Sequence, residues 1–171
     1  MTGIPSKINM YNVYRDNNRL IGMGDELTLP DLESLTETIS GPGILGEIED
    51  PTIGHFGSTQ VEVPFRVLNG DEVDMMDPTK SVDLTIRGSA QINTPEGGVD
   101  FAKVRAVFRG KGKSLTGGSF KQGSGMSTSV KVEATYYYLE VDGEPMIELD
   151  KLNSVFKVKG TDVLAKARRY C

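Results

Sequence analysis

The 171-residue sequence has little of the chemistry on which most enzymes and metal sites depend. It contains one cysteine, Cys171, and one histidine, His55. A single cysteine cannot form a disulfide within the chain. A lone histidine with no cysteine or second histidine near it is typical of a surface or packing residue rather than of a metal ligand or a general base. We therefore expect no metal site and no cofactor.

Motifs for nucleotide binding and catalysis are also missing. GKGKS, residues 110–114, looks like part of a phosphate-binding loop, but that motif needs a glycine five positions before Gly112, where Val107 stands. The sequence contains no GxSxG elbow, HExxH pair, CxxC pair or calcium-loop spacing. These absences predict a protein that is not an enzyme.

Long hydrophobic runs are absent as well. No stretch of about 18 apolar residues occurs, so no membrane-spanning helix is expected, and the opening MTGIPSKINM has no signal-peptide pattern. With 37% hydrophobic and 25% charged residues, the composition is that of an ordinary globular protein. A chain of this length most simply forms one domain, residues 1–171.

What the sequence does contain is repeated two-residue alternation of apolar and polar side chains, the pattern of a half-buried strand. Residues 81–92 alternate over twelve positions, which would extend roughly 40 Å at the rise of a strand. That is long for the core of one such domain, so we expect a sheet that continues beyond it. Strands are predicted at 7–15, 19–23, 26–29, 60–68, 81–92, 99–109, 130–138, 145–149 and 154–158. Residues 31–39 could form a helical turn or another strand, and their β-branched side chains favour the strand.

The clearest strand pair surrounds Asp142-Gly143, a dipeptide that favours a tight antiparallel hairpin. The strand before it predicts two faces. Its core face is Val130, Val132, Ala134, Tyr136 and Tyr138, and its opposite face is Lys131, Glu133, Thr135 and Tyr137.

Two short helices are expected beside the sheets. Residues 69–77 begin with a possible cap at Asn69 or Asp71 and end before Pro78. Val73 and Met76 would form the apolar edge of this helix. A second short helix is predicted within residues 160–169, where basic side chains suit the C-terminal end.

Two long connections are predicted. Residues 40–59 contain five glycines and two prolines, together with apolar side chains that a solvated loop does not need. Another subunit could cover those side chains, or the loop could fold over its own domain. Residues 110–127 are rich in glycine and contain no carboxylate, which predicts a basic arm that is disordered in the free subunit.

Charge is divided between two parts of the chain, although the net charge is only −5. From Asp25 to Asp77 there are thirteen acids and one base, Arg66, whereas residues 101–132 contain seven bases and no acid. Two oppositely charged solvated faces would explain this division. So would self-association, in which the basic segment of one subunit meets the acidic segment of another.

Several segments together resemble the major tail tube protein of contractile-tailed phages. They are NVY at 12–14, the GxxG turn at 43–46, KQG at 121–123, TYYYLEVDGEPMIELDKLN at 135–153, and GTDVLAKARR at 160–169. The resemblance keeps this order over nearly the whole chain. It implies a mainly β fold, with two packed antiparallel sheets in a sandwich-like or barrel-like arrangement, one flanking helix and a short C-terminal helix.

The resemblance also implies a structural virion protein, assembled in the host cytoplasm into stacked hexameric rings that form the inner tail tube. Expected partners are further copies of the chain, the tail sheath protein, a tape measure protein in the lumen, the baseplate or tube initiator, and the tail terminator. DNA would pass only transiently through a polar and preferably acidic lumen, because a basic wall would bind phosphates. No membrane partner is expected.

Combining the resemblance with the charge division predicts two sets of contact residues. The candidate ring-stacking interface is Ile44, Leu45, Ile48, Phe56, Lys111, Lys113, Phe120 and Lys121. The candidate face toward the lumen or a neighbour is Lys131, Glu133, Thr135 and Tyr137. The alternative function is a β-sandwich binding module for carbohydrate or a virion surface partner. Such modules usually cluster exposed aromatic side chains at one loop end, whereas the tyrosines here lie in predicted strands.

Overall fold

A computed structural model describes residues 3–171 and shows a mainly β protein with two sheets and two short helices. The strands among these residues are β1 (Ile4–Arg15), β2 (Asn18–Arg19), β3 (Ser34–Ile39), β4 (Ile48–Phe56), β5 (Gln60–Phe65), β6 (Val82–Asn93), β7 (Val99–Thr116), β8 (Thr128–Val141), β9 (Glu144–Asp150), β10 (Val155–Val158) and β11 (Thr161–Asp162). The helices are α1 (Gly70–Met75) and α2 (Ala165–Arg168).

The larger sheet has nine strands, all paired antiparallel. Eight follow the order β11-β10-β9-β8-β7-β6-β1-β2, and β5 adds to the free part of the edge of β8. The chain after β2 then reaches β5 through isolated bridges at Met23 with Phe65 and Thr28 with Glu62. These bridges connect the segment after β2 to β5, and the described residues form no closed barrel of strands.

The core lies on one face of the larger sheet and comprises mainly alternate residues of its strands. Its largest fully buried side chains include Phe65 on β5, Leu84 on β6 and Phe108 on β7, with Met75 of α1 closing one side. The predicted alternation in 81–92 and 99–109 is confirmed, because Leu84, Ala102, Ala106 and Phe108 all face inward. The predicted Asp-Gly hairpin is confirmed too: Asp142 and Gly143 both have positive φ, 54° and 82°, as the tight two-residue turn requires.

A bulge in β8 overturns part of the predicted face assignment. Ala134 pairs with Gly110 and Tyr136 with Arg109, so Thr135 is an extra residue on the β8 side. Beyond it the inward positions move by one, and Tyr137 is buried at 4% exposure against Phe108, with ring centroids 4.7 Å apart. The assignment of Tyr137 to an exposed face was therefore wrong, and so was the placement of Tyr136 and Tyr138 in the core, since both are only half-buried.

Helix α1 begins at the predicted cap. Asn69 Oδ1 accepts hydrogen bonds from the backbone N–H groups of Asp71 and Glu72, while Glu72 Oε2 accepts one from Asn69 N at 3.0 Å. This reciprocal arrangement is a capping box. The predicted apolar edge is confirmed for Met76, which packs against the core, and was wrong for Val73, which is exposed; Glu72 and Met75 are the buried residues of the helix.

Both predicted long connections are shorter than expected. Nine of residues 40–59 form β4, which pairs with β3 as a separate two-stranded sheet, and β7 runs on through residues 110–116 of the predicted basic arm. The remaining connections are 40–47, 57–59 and 117–127. The prediction of long loops is therefore wrong for 48–56 and 110–116, and the predicted disorder of the basic arm is wrong for 110–116.

The turn after α1 makes stability depend on pH. Asp77 accepts hydrogen bonds from Thr79 Oγ1 at 2.6 Å and Thr79 N at 3.0 Å, and lies 3.2 Å from Lys80 Nζ. These contacts, chiefly the bond from the Thr79 hydroxyl, lower the pKa of Asp77 from 3.8 to about 2. The stabilisation is therefore present above the unfolded pKa and is lost as the pH falls toward 2.

We expect Asp77→Asn to lower the melting temperature at pH 7, with the difference from wild type shrinking between about pH 5 and pH 2. Thermal unfolding of the free subunit across this range measures it. Asp31→Asn, at an exposed aspartate before β3, is the control. A difference between Asp77→Asn and wild type that stayed constant down to pH 2 would contradict the contribution of the Asp77 charge.

Candidate assembly surfaces

The β3–β4 hairpin, residues 34–56, stands apart from the larger sheet and is almost entirely exposed. A two-stranded hairpin is at best marginally stable alone in water. Its exposed large apolar side chains are Leu35, Ile39, Leu45, Ile48 and Ile53. Exposed apolar side chains grouped on one projecting element are typical of a surface that another molecule covers.

The tip of this hairpin combines apolar and acidic side chains. Leu45 is fully exposed, with a relative accessibility of 106%, and Ile48 follows on the first residue of β4. Glu47, Glu49 and Asp50 are exposed beside them. The structure thus brings together Ile44, Leu45 and Ile48 of the predicted stacking residues, although Ile44 is half-buried. His55, near the end of β4, is exposed, as predicted for a surface residue.

The base of the hairpin is packed on the same subunit. Phe56 contacts Phe156 of β10 edge to face, with ring centroids 4.9 Å apart, and belongs to the rim of the hydrophobic core. Leu164 lies against Gly54, and Gly57 N donates a hydrogen bond to Glu33 O at 3.1 Å. Phe56 therefore anchors the hairpin within its own subunit, which differs from its predicted role in stacking.

The four predicted basic-arm residues divide into two places. Lys111 and Lys113 are exposed on β7, where Lys113 Nζ lies 3.8 Å from Glu133 Oε2. Phe120 and Lys121 lie in what we call the basic loop, residues 117–127, and Phe120 is 93% exposed. A phenylalanine is unusual in a solvated turn, because burying its aromatic ring would be strongly favourable.

The predicted outward face of β8 is largely engaged within the subunit. Lys131 Nζ lies 3.8 Å from Glu62, and Glu133 accepts hydrogen bonds from Ser58 Oγ at 2.5 Å and Thr59 N at 3.0 Å. Thr135 Oγ1 donates to the Arg109 carbonyl at 3.3 Å from its bulged position. Lys131, Glu133 and Thr135 remain half-exposed, so their facing a lumen or a neighbour stays a prediction.

One surface was missed by the sequence reading: the distal end of the larger sheet, residues 4–10 of β1, 88–93 of β6 and 99–104 of β7. Ile4, Ile8, Met10, Val99 and Phe101 are all more than half exposed there. Ile8 pairs with Ala90 and Met10 with Ser89, so the bulge between them breaks the alternation and places Ile8 and Met10 on opposite faces of β1. Apolar side chains on both faces of a strand indicate burial by another chain, but the two-residue spacing of Ile8 and Met10 conceals this in the sequence.

The described residues contain no group of three or more His, Cys, Asp or Glu side chains placed to hold a metal ion. Neither of the two helices in residues 3–171 is long and apolar enough to cross a membrane. What residues 3–171 offer instead are extended surfaces: the exposed hairpin, the basic loop and the distal end of the sheet.

A family model described as "Phage tail tube protein FII" matches residues 5–170. The chain belongs to this family. The tail tube resemblance read from the sequence is therefore confirmed, and the tail tube function prevails over the alternative of a free binding module. This tail tube protein is a structural protein of contractile-tailed systems and not an enzyme, and it is a virion component.

Curated relatives agree with the family over nearly their full length. The tail tube protein is 28% identical over 175 aligned positions to the "Tail tube protein" of Escherichia phage P2, covering 97% of this chain and 96% of the relative. It is 25% identical over 160 positions to the "Major tail tube protein" of Serratia phage KSP20, with coverage of 94% and 91%.

Solved structures share the fold at lower sequence identity. A chain of the PVC sheath/tube terminator of an extracellular contractile injection system in its extended state superposes with a TM-score of 0.52, at 15% identity, covering 80% of this tail tube protein and 96% of that chain. A chain of the PVC sheath-tube complex in its extended state gives a TM-score of 0.51 at 15% identity, with coverage of 80% and 91%. The mainly β fold is thus shared with these chains of a contractile injection system.

Proposed function

We propose that this tail tube protein assembles into hexameric rings that stack into the inner tube of a contractile tail, through whose channel DNA passes. The observation that carries the proposal is the edge of β1. Residues 4–12 pair with β6 on one side, whereas β2 pairs only with Tyr14 and Arg15 on the other. Within the described residues, the rest of this long edge has no strand partner.

An open, apolar strand edge is a template for association with another chain. Ile4, Ile8 and Met10 lie along this edge, and their exposure gives the association a hydrophobic driving force. A closed ring of subunits would cover every such edge, whereas an open chain of subunits would leave one uncovered. The sheet would then continue from one subunit to the next.

The size of such a ring suits a conduit. If six subunits each lend four strands, strand spacing and tilt give a wall roughly 50 Å across between backbones, which is wide enough for duplex DNA. The DNA would pass without lasting contacts. A sheath protein outside, a tape measure protein in the lumen, an initiator at the baseplate and a terminator at the far end complete the proposed partners.

Electron microscopy of the purified subunit tests the proposal. Long tubes with a central channel and sixfold symmetry in end-on averages are the expected result. Monodisperse subunits at concentrations where related tubes grow would argue against self-assembly, and clear averages with another symmetry would rule out the hexamer. Passage of DNA is tested on assembled tails, whose ejected genome should be protected from nuclease along the length of the tube.

Stacking of rings is assigned to the tip of the β3–β4 hairpin. We expect Leu45→Asp with Ile48→Asp to raise the critical concentration for tube growth by about tenfold or more, the effect of losing a strong interface side chain. Both side chains are exposed in the subunit, so its melting temperature should stay unchanged. Sedimentation of tubes over a concentration series measures the effect.

The control is Leu152→Asp, which makes the same leucine-to-aspartate change once, at an exposed leucine in the turn before β10. It should leave tube growth near the wild-type level. Growth of the hairpin variant at the wild-type critical concentration would show that the tip is not a stacking contact.

A further inference from the structure

An apolar groove opens between the segment after β2 and the inner face of the larger sheet. It encloses about 270 Å³ and is lined chiefly by Ile8, Tyr11, Leu27, Leu29, Ile86 and Val104. Ile8 and Leu29 remain 53% and 42% exposed at its mouth. An apolar cavity of roughly 150 Å³ already holds a benzene molecule, so one aromatic side chain fits this groove.

The rim of the groove is acidic. Asp25 and Glu26 are exposed on the segment that forms one wall. Tyr11 lines the groove below them. Its pKa is raised, chiefly by burial and then by the negative charges of Asp25 and Glu26. Arg66 lies 3.3 Å from Asp25, and both side chains are well exposed. A fitting occupant is therefore an apolar group with a cation next to it.

Two large apolar side chains among the described residues are more than nine-tenths exposed, Leu45 and Phe120. Leu45 is close in sequence to Glu47, Glu49 and Asp50, whose charges would be repelled by the acidic rim. Phe120 is followed by Lys121 and lies in the segment 101–132, which has no acid. Charge complementarity therefore selects Phe120.

The basic loop presents Phe120 in a preformed shape. Ser119 N donates a hydrogen bond to Met126 O at 3.0 Å, and Met126 N donates to Arg66 O at 2.6 Å. A turn between Lys121 and Ser124, closed by a 3.2 Å hydrogen bond, forms the end of the loop. Such anchoring lowers the entropic cost of binding. Because Phe120 is almost fully exposed, it does not occupy the groove of its own subunit.

We infer that Phe120 of one subunit inserts into this groove of a second copy, with Lys121 placed against Asp25 and Glu26. The inference rests on the proposed self-assembly and names one contact within it. The basic loop is thus one half of the proposed contact, and the groove is the other half. Each copy carries both halves, so the contact runs head to tail and repeats along the assembly.

Disulfide trapping tests the contact directly. In a Cys171→Ser background, which removes the exposed native thiol, tubes are assembled from Phe120→Cys with Leu29→Cys and oxidised mildly. Non-reducing gels should show a ladder of linked oligomers, because each subunit would bond to the next. Leu45→Cys with Leu29→Cys is the control and should remain mostly monomeric on the gel.

The inference would be overturned if tubes form but Phe120→Cys with Leu29→Cys gives no more disulfide-linked oligomers than the control pair. That result would leave self-assembly intact. Absence of tubes from the Cys171→Ser parent would instead contradict the proposed function.

A charge exchange tests the same contact without cysteines. Lys121→Glu should raise the critical concentration about tenfold, and adding Glu26→Lys should restore most of the loss. Both side chains are exposed, so the subunit should fold normally. The pairing would be contradicted if Lys121→Glu had the wild-type critical concentration. It would also be contradicted if the double variant had the same critical concentration as Lys121→Glu alone.

Discussion

Replacing Phe108 with alanine is expected to lower the free energy of unfolding by about 3–5 kcal/mol, the usual cost of removing a buried phenylalanine. Phe108 is completely buried on β7 between Leu84 of β6 and Tyr137 of β8. Its ring stacks on Tyr137 with the planes 9° apart. Alanine would leave a cavity at the centre of the core and remove this stacking. Urea unfolding of the free subunit measures the change.

The same strand offers a matched control, Phe101→Ala. Phe101 is 54% exposed at the distal end of the sheet, so its removal should change the free energy of unfolding of the free subunit by only about 0.5 kcal/mol. Equal losses for the two variants would contradict the placement of the core around Phe108 and Tyr137. Tube growth provides a second measurement. Phe101→Ala should reduce tube growth by more than its small loss of subunit stability explains.

Gly112→Ala should lower the free energy of unfolding by about 1–3 kcal/mol, as overpacking of a filled site does. A Cβ at this position would lie 2.1 Å from the carbonyl oxygen of Met75 and 2.9 Å from its carbon. These are backbone atoms, which cannot turn aside as a flexible side chain can. We therefore expect α1 to be displaced from β7, with faster amide exchange in residues 70–75.

Gly117→Ala is the control for this substitution. Gly117 lies just beyond β7, and nothing stands within 4 Å of the Cβ that alanine would add. Its free energy of unfolding should stay within about 0.5 kcal/mol of wild type. If Gly112→Ala were equally harmless, α1 would not be packed on β7 as closely as described.

These glycines explain why GKGKS misled the sequence reading. Glycine-rich basic segments are typical of flexible arms, and that interpretation was applied to 110–127. In the structure Gly110 packs against the backbone of Glu133 and Gly112 against the backbone of Met75. The missing side chains make room for neighbouring chain segments that are distant in sequence. Nothing in the local pattern distinguishes the two uses of glycine.

Much of the fold could be predicted because its signals are local. Alternation in 81–92 and 99–109 identified β6 and most of β7, Asp142-Gly143 identified the hairpin turn, and Asn69 identified the start of α1. Each depends on side-chain period, positive φ or a cap within a few residues. The apolar and acidic residues around Leu45 were also selected from the sequence, and the structure shows that Leu45 is exposed, while their role in stacking stays a prediction.

The parts that failed depend on which segments pair. Residues 48–56 pair with β3 across the connection 40–47, and their glycine and proline residues conceal this strand in the sequence. In β8 the buried side chains change from even-numbered to odd-numbered positions where the strand that pairs with one of its edges changes from β5 to β9. Residues 128–133 pair with β5 and 136–141 with β9, and the bulge at Thr135 lies between the two partners.

By itself, the sequence determined a mainly β chain with divided charge, because these properties follow from period and composition, and the order of its motifs carried the resemblance to tail tube proteins. Only the tertiary structure decided which side of β8 is buried, that the hairpin projects while Phe56 anchors it, and that the groove faces the surface. Those outcomes depend on which distant strands meet, and hydrogen bonding and close packing between segments far apart in the chain select them.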